Sequence, residues 1–223
     1  MFDKIFKPNI LPNNLHQLTL DNDNNIANHS YPPKLNTISI YHSKNLSNVP
    51  TTITKLKLYE NGTVCTLPQT LKSLTLKSFS RRLYRGELPL YLQKLKINTF
   101  HCIEEFVLPN SLKTLTFGCD YDQPIDINIL PESLQSLTFS SCHYSSYNQP
   151  INPNVLPKSL ENLLLGAKYN QLINIDTLPK SLKILKFGKK YNQPIGIGVL
   201  PNSLQNLEFR PSCSSLYNLP FEL

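Results

Sequence analysis

Five cysteines and five histidines are the residues of this 223-residue chain best suited to chemistry, and neither set is arranged for it. Cys65, Cys102, Cys119, Cys142 and Cys213 are odd in number, irregularly spaced and free of any Cys-x-x-Cys pair. His16, His29, His42, His101 and His143 share no spacing either. Zinc needs four converging ligands, which paired spacings normally supply. Cys142 and His143 are adjacent, but sequence neighbours on an extended chain point apart, so they make a poor nucleophile–base pair. Ser43, Ser141 and Ser146 have no glycine elbow around them, and no GxxxxGK[ST] phosphate loop occurs. Asp120, Asp122, Asp126 and Asp176 read as solvated or turn-bonding residues rather than calcium ligands. The expectation is a protein that is not an enzyme and uses no cofactor or metal. Scattered thiols fit a reducing compartment, where they fill core or loop positions. The opening MFDKIFKPNILP has no long apolar run. No segment approaches the roughly 20 apolar residues of a membrane helix. A soluble, intracellular, cytoplasmic protein with no membrane partner is therefore expected.

What the sequence does contain is a recurring proline. Pro12, Pro32, Pro50, Pro68, Pro89, Pro109, Pro131, Pro157, Pro179 and Pro201 are spaced 18 to 26 residues apart. Each is followed at three, six and eight residues by a large apolar side chain, as in Leu15, Leu18 and Leu20 or Leu112, Leu115 and Phe117. A fixed period near 20 residues signals stacked repeats that share one core. The last two apolar positions alternate with polar ones, which argues for a short half-buried strand. Strands one repeat apart and running the same way form a parallel sheet. Proline removes a backbone donor, so Leu-Pro marks a corner rather than a strand interior. The fold class is therefore mainly β: a right-handed, leucine-rich-repeat-like solenoid with about ten strands and extended or irregular return segments. Residues 1–11 read as an N-terminal cap, with Phe2, Ile5 and Phe6 covering the first copy, and 12–223 as ten repeats.

The later copies add a second signature, Tyr-Asn-Gln-Pro-Ile. It stands at Tyr121–Ile125 (with Asp122), Tyr147–Ile151, Tyr169–Ile173 (with Leu172) and Tyr191–Ile195, and decays at Tyr217–Phe221. Tyr and Ile are expected to point inward, and the Asn column to bond successive turns. Two copies carry four extra residues around Cys142 and Cys213, read as loops at one edge.

These residues resemble the FNIP repeat family, with Leu-Pro-x-Ser-Leu-x-x-Leu-x-Phe-Gly running into Tyr-Asn-Gln-Pro-Ile; Gly118 and Gly188 hold the glycine position. The resemblance is clearest over 109–221. It implies a leucine-rich-repeat variant of social amoebae and giant viruses of amoebae, and hence a host-cytoplasm setting if viral. Many viral relatives carry an F-box ahead of the repeats, which implies choice of ubiquitylation substrates. About ten residues precede the first copy here, too few for an F-box, so that role is not carried over.

Charge is the uneven surface feature. The formal charge of +7 divides into +1 over residues 1–50, +5 over 51–107 and +1 over 108–223. Outward strand positions in copies three to five hold Lys55, Lys57, Tyr59, Lys77, Lys94 and Lys96, with Lys72 beside them. Arg81, Arg82 and Arg85 follow in a loop. The expected function is a protein-interaction module that binds an acidic partner on this face, with Tyr59 as apolar anchor, as an adaptor for a substrate or host factor. The alternative is a structural repeat protein that self-associates through an open C-terminal repeat. Nucleic acid is not the expected partner, because a sharper basic run or stacking aromatics would be needed.

Overall fold

The computed structural model describes residues 10–22, 31–42, 46, 49–60, 67–140, 142 and 144–210. Each of the ten copies supplies one strand. These are Gln17–Asn22 (β1), Thr37–His42 (β2), Lys55–Glu60 (β3), Ser73–Leu76 (β4), Lys94–Ile97 (β5), Thr114–Phe117 (β6), Ser136–Phe139 (β7), Asn162–Leu164 (β8), Ile184–Phe187 (β9) and Asn206–Phe209 (β10). They form one sheet in chain order, and every neighbouring pair is parallel. The register steps by one repeat each time, so Leu56, Leu74, Leu95 and Leu115 stand in one inward column. Side chains alternate across a strand, so this register buries the whole apolar set together. Each such leucine contributes roughly 2 kcal/mol of burial. The described residues contain no helix, so none is long and apolar enough to cross a membrane.

Among the described residues, two kinds of turn bring the chain around. At the first, the carbonyl of each of the ten prolines accepts the N–H of the third residue on, from Pro12–Leu15 to Pro201–Leu204. In most copies a hydroxyl two residues after the proline ties this corner to the previous copy. Thr70 donates to Ile53 O, Ser133 to Leu112 O, Ser159 to Leu134 O, Ser181 to Leu160 O and Ser203 to Leu182 O. The second turn closes as Tyr84 O–Glu87 N, Asp126 O–Ile129 N and their equivalents through Gly196 O–Val199 N. Its third residue is left-handed in repeats four to nine: Gly86, Phe106, Asn128, Asn154, Asp176 and Gly198, with φ from 60° to 86°. That is the requirement of a type II turn, which Gly and Asn meet best. The second residue sits at the turn tip, which accounts for the exposure of Ile127, Ile175 and Ile197.

The Tyr-Asn-Gln-Pro-Ile segments line the return side as expected. Tyr121, Tyr147, Tyr169 and Tyr191 are buried and stacked, with centroids 6.1, 6.0 and 6.2 Å apart. Phe117, Phe139 and Phe187 stack on Tyr121, Tyr147 and Tyr191 at 3.8, 3.6 and 3.9 Å. Burial pushes all four phenol pKa values up, that of Tyr191 to about 12. The second column is a hydrogen-bonded ladder. Asp122 Oδ1 accepts from Asn148 N at 2.9 Å, Asn148 Oδ1 from Asn170 N at 2.8 Å, and Asn170 Oδ1 from Asn192 N at 2.9 Å. Glycine follows the strand where repeats touch, since a Cβ at Gly188 would overlap the Gly166 carbonyl.

One expectation is corrected. The cysteines read as isolated thiols, but Cys119 and Cys142 are joined as a disulfide, with Cα atoms 6.6 Å apart. Cys142 thus reaches back to the preceding copy, where Ser146 N also bonds Cys119 O. Spacing along the chain could not show that return. Phe2, Ile5 and Phe6 of the expected cap, and the loop around Cys213, lie outside the described residues.

Candidate functional site

Apart from the Cys119–Cys142 disulfide, the described residues that could do chemistry form no cluster. Among the described residues no three His, Cys, Asp or Glu side chains gather as metal ligands would. His16 Nδ1 lies 3.2 Å from Lys34 O, and His101 Nε2 lies 2.9 Å from Ser80 O, in separate repeats. The sheet face of β3 to β5 is the stronger candidate.

Strand pairing puts Lys55 beside Ser73 and Ser73 beside Lys94, and likewise Lys57 beside Thr75 and Thr75 beside Lys96. With strands about 4.8 Å apart, the two lysine pairs stand about 9.6 Å apart across β4. Ser73 and Thr75 are short, so they form a hydroxyl-bearing floor between taller walls. Lys72 precedes β4 and Lys77 follows it, so the floor carries a lysine at each end. Lys55, Lys72, Lys77, Lys94 and Lys96 are exposed, and Lys57 is half-buried. None of the six belongs to an ion pair among the described residues.

Two lysines on the same sheet face in later repeats are paired with carboxylates, whereas exposed Lys113, in the slot of Lys72, belongs to no ion pair among the described residues. Lys186 Nζ lies 2.6 Å from Glu208, and Lys183 Nζ lies 3.0 Å from Glu161. The hydrogen bond from Lys186 holds the Glu208 carboxyl below its usual pKa. The loop arginines are also partly committed. Arg81 pairs with Glu87 at 3.0 Å and Arg82 with Glu104 at 3.5 Å, while Arg85 lies over the Phe106 ring at 5.8 Å. Lys55, Lys57, Lys72, Lys77, Lys94 and Lys96 thus gather on or beside the three central strands without an ion pair among the described residues.

Tyr59 is half-buried rather than free. One ring face stacks on Tyr41 at 4.2 Å, and the Lys77 ammonium lies 4.3 Å from its centroid. Tyr41, at 42% exposure, is the more open member. The sequence reading missed Tyr41, although it occupies in copy two the slot that Tyr59 fills in copy three.

The geometry has recognisable counterparts. A family model described as FNIP Repeat matches residues 101–142, 144–168 and 169–212. The chain is 28% identical over 115 residues to the FNIP repeat-containing protein L415 of Acanthamoeba polyphaga mimivirus, covering 48% of this chain and 27% of that one. It superposes on the crystal structure of CroV588, a circular leucine-rich-repeat protein, with a TM-score of 0.78 and 37% identity. That match covers 92% of this chain and 32% of CroV588. The chain therefore spans about a third or less of either relative.

Proposed function

Since the repeats of residues 101–212 belong to the FNIP repeat family and the chain folds as a leucine-rich-repeat-like solenoid, we propose that it is a non-enzymatic protein-interaction module. Its binding face is the outward side of repeats three to five. The partner presents an acidic surface to Lys55, Lys57, Lys72, Lys77, Lys94 and Lys96, with the Tyr41–Tyr59 stack at one margin. The observation that carries this reading is the contrast within one sheet. Lys183 and Lys186 have carboxylate partners, whereas the central lysines have none among the described residues. Unpaired cations on one face speed encounter with an acidic surface and weaken its binding as salt rises.

The test replaces Lys55, Lys57, Lys94 and Lys96 with Glu. Partners are recovered from cells by affinity purification and mass spectrometry, and the fold is followed by circular dichroism. Loss of partners with an unchanged spectrum is the expected result. Retention of every partner at full strength would place the binding surface elsewhere. The likeness to circular CroV588 favours a second reading, in which copies continue one another's stack. Sedimentation velocity showing only monomer at high concentration removes it.

A further inference from the structure

Repeat five breaks a surface pattern that nearly all the others keep. The two positions after each repeat proline hold polar or small residues almost throughout, such as Gln69-Thr70, Asn110-Ser111, Glu132-Ser133 and Lys180-Ser181. In repeat five they are Leu90 and Tyr91, which are 69% and 73% exposed. The second position is the one whose hydroxyl ties most corners to the copy before it. Ser111, the next in the column, reaches both Leu90 O and Leu92 O at 2.7 Å. Tyr91 makes no such bond among the described residues; its ring extends into solvent instead. Folding gains little from either side chain, since each is more than two-thirds exposed. The corner itself is well held: Leu90 N bonds Gln69 Oε1 at 3.4 Å, and Gln93 N bonds Lys72 O at 2.9 Å.

That last bond sets the entry of repeat five beside Lys72, and Lys94 and Lys96 follow within five residues of Tyr91. The apolar corner is therefore continuous with the lysine-walled floor over β4. Exposed aromatic and aliphatic side chains next to unpaired charge are the anchor and steering parts of a protein-binding surface. We infer that Leu90 and Tyr91 form an apolar anchor site next to the basic face, and that its occupant is a polypeptide segment with a run of carboxylates and a large apolar side chain at one end. This rests on the acidic-partner reading above. The negative charge of the segment complements the lysines, and its apolar end covers a corner left largely exposed among the described residues.

The test uses three fluorescent peptides on the unaltered chain. One is ten glutamates; the others carry Leu-Phe before or after the same run. Anisotropy titrations should show one Leu-Phe peptide binding at least tenfold more tightly than the bare run. Leu90→Asn with Tyr91→Ser, which copies repeat six, should erase that advantage, leave binding of the bare run unchanged and not lower the melting temperature. Lys94→Glu with Lys96→Glu should weaken all three peptides. Equal affinity of the three peptides for the unaltered chain overturns the anchor and leaves the basic face standing. An advantage that survives in the Leu90/Tyr91 variant also overturns it. If no peptide binds, or if a 15-residue oligouridylate binds more tightly than every peptide, the acidic-protein reading falls with it.

Discussion

Phe106 is the bulky, unbranched exception in a column of Gly86, Asn128, Asn154, Asp176 and Gly198, all left-handed. A Cβ in this conformation meets the following carbonyl, at a cost of roughly 1–2 kcal/mol that Gly escapes and Asn partly offsets. The ring is 60% exposed, so burial recovers little of that cost, and the offset from Arg85 at 5.8 Å is slight. Phe106→Asn should therefore stabilise the protein by about 0.5–1 kcal/mol, relieving backbone strain at a site where asparagine already serves in Asn128 and Asn154. Urea denaturation checks this. A loss of stability would mean that the ring contributes packing its exposure does not suggest. The same position limits what residue types reveal: glycine, asparagine, aspartate and phenylalanine all occupy one backbone geometry, so no single letter marks the turn.

At the scale of the repeat, what was legible is what a side chain's burial imposes directly. The proline and its three apolar followers fixed ten strands and their register, because a slip by one residue would turn Leu74 or Leu115 outward. The lysine face followed from the same alternation. Its unpaired state did not, because pairing depends on the cross-strand neighbour. Lys186 occupies the slot of Lys57 and Lys96, yet stands beside Glu208. The serine corner bonds and the Cys119–Cys142 link were illegible for the same reason, since both join residues about one repeat apart. The asparagine column was half legible, as a turn-bonding role without its direction. That direction now makes a prediction. Asn170 Oδ1 is the acceptor for Asn192 N, so Asn170→Ala leaves a donor of the next repeat unpaired. Asn192 is exposed, so water can take up that donor, and the expected cost is about 0.5–1.5 kcal/mol, the net worth of one hydrogen bond. Asn170→Asp keeps the acceptor, as Asp122 does for Asn148, and should cost clearly less. Thermal melts of both variants decide it; equal losses would mean that the ladder bond is not what Asn170 contributes.

The whole molecule is one stack with two kinds of core. Repeats two to five are filled by aliphatic side chains such as Ile38, Leu56, Leu74 and Ile97, while repeats six to nine add the phenylalanine–tyrosine column. In a solenoid each repeat is held mainly by its neighbours, so the halves can respond separately to one stress. Base is such a stress. In the unfolded chain a tyrosine ionises near 10.0, but burial raises all four column phenols, Tyr191 to about 12 and the other three further. Above pH 10 the folded state therefore binds more protons than the unfolded state, and stability falls as pH rises. Below pH 10 the contribution is fully present. Each phenol costs on the order of 1.4 kcal/mol per pH unit in that window. Stability should be flat from pH 7 to 9 on this account and then drop steeply from pH 10 upward. Hydrogen exchange measured across that window should show β6 to β9 losing protection before β2 to β5. Absorbance at the tyrosinate band should rise in two stages, with four of the 11 tyrosines ionising only as the aromatic half opens. A single ionisation of all 11 near pH 10, with strand protection intact, would mean that the column is open to water and that the two halves share one kind of core.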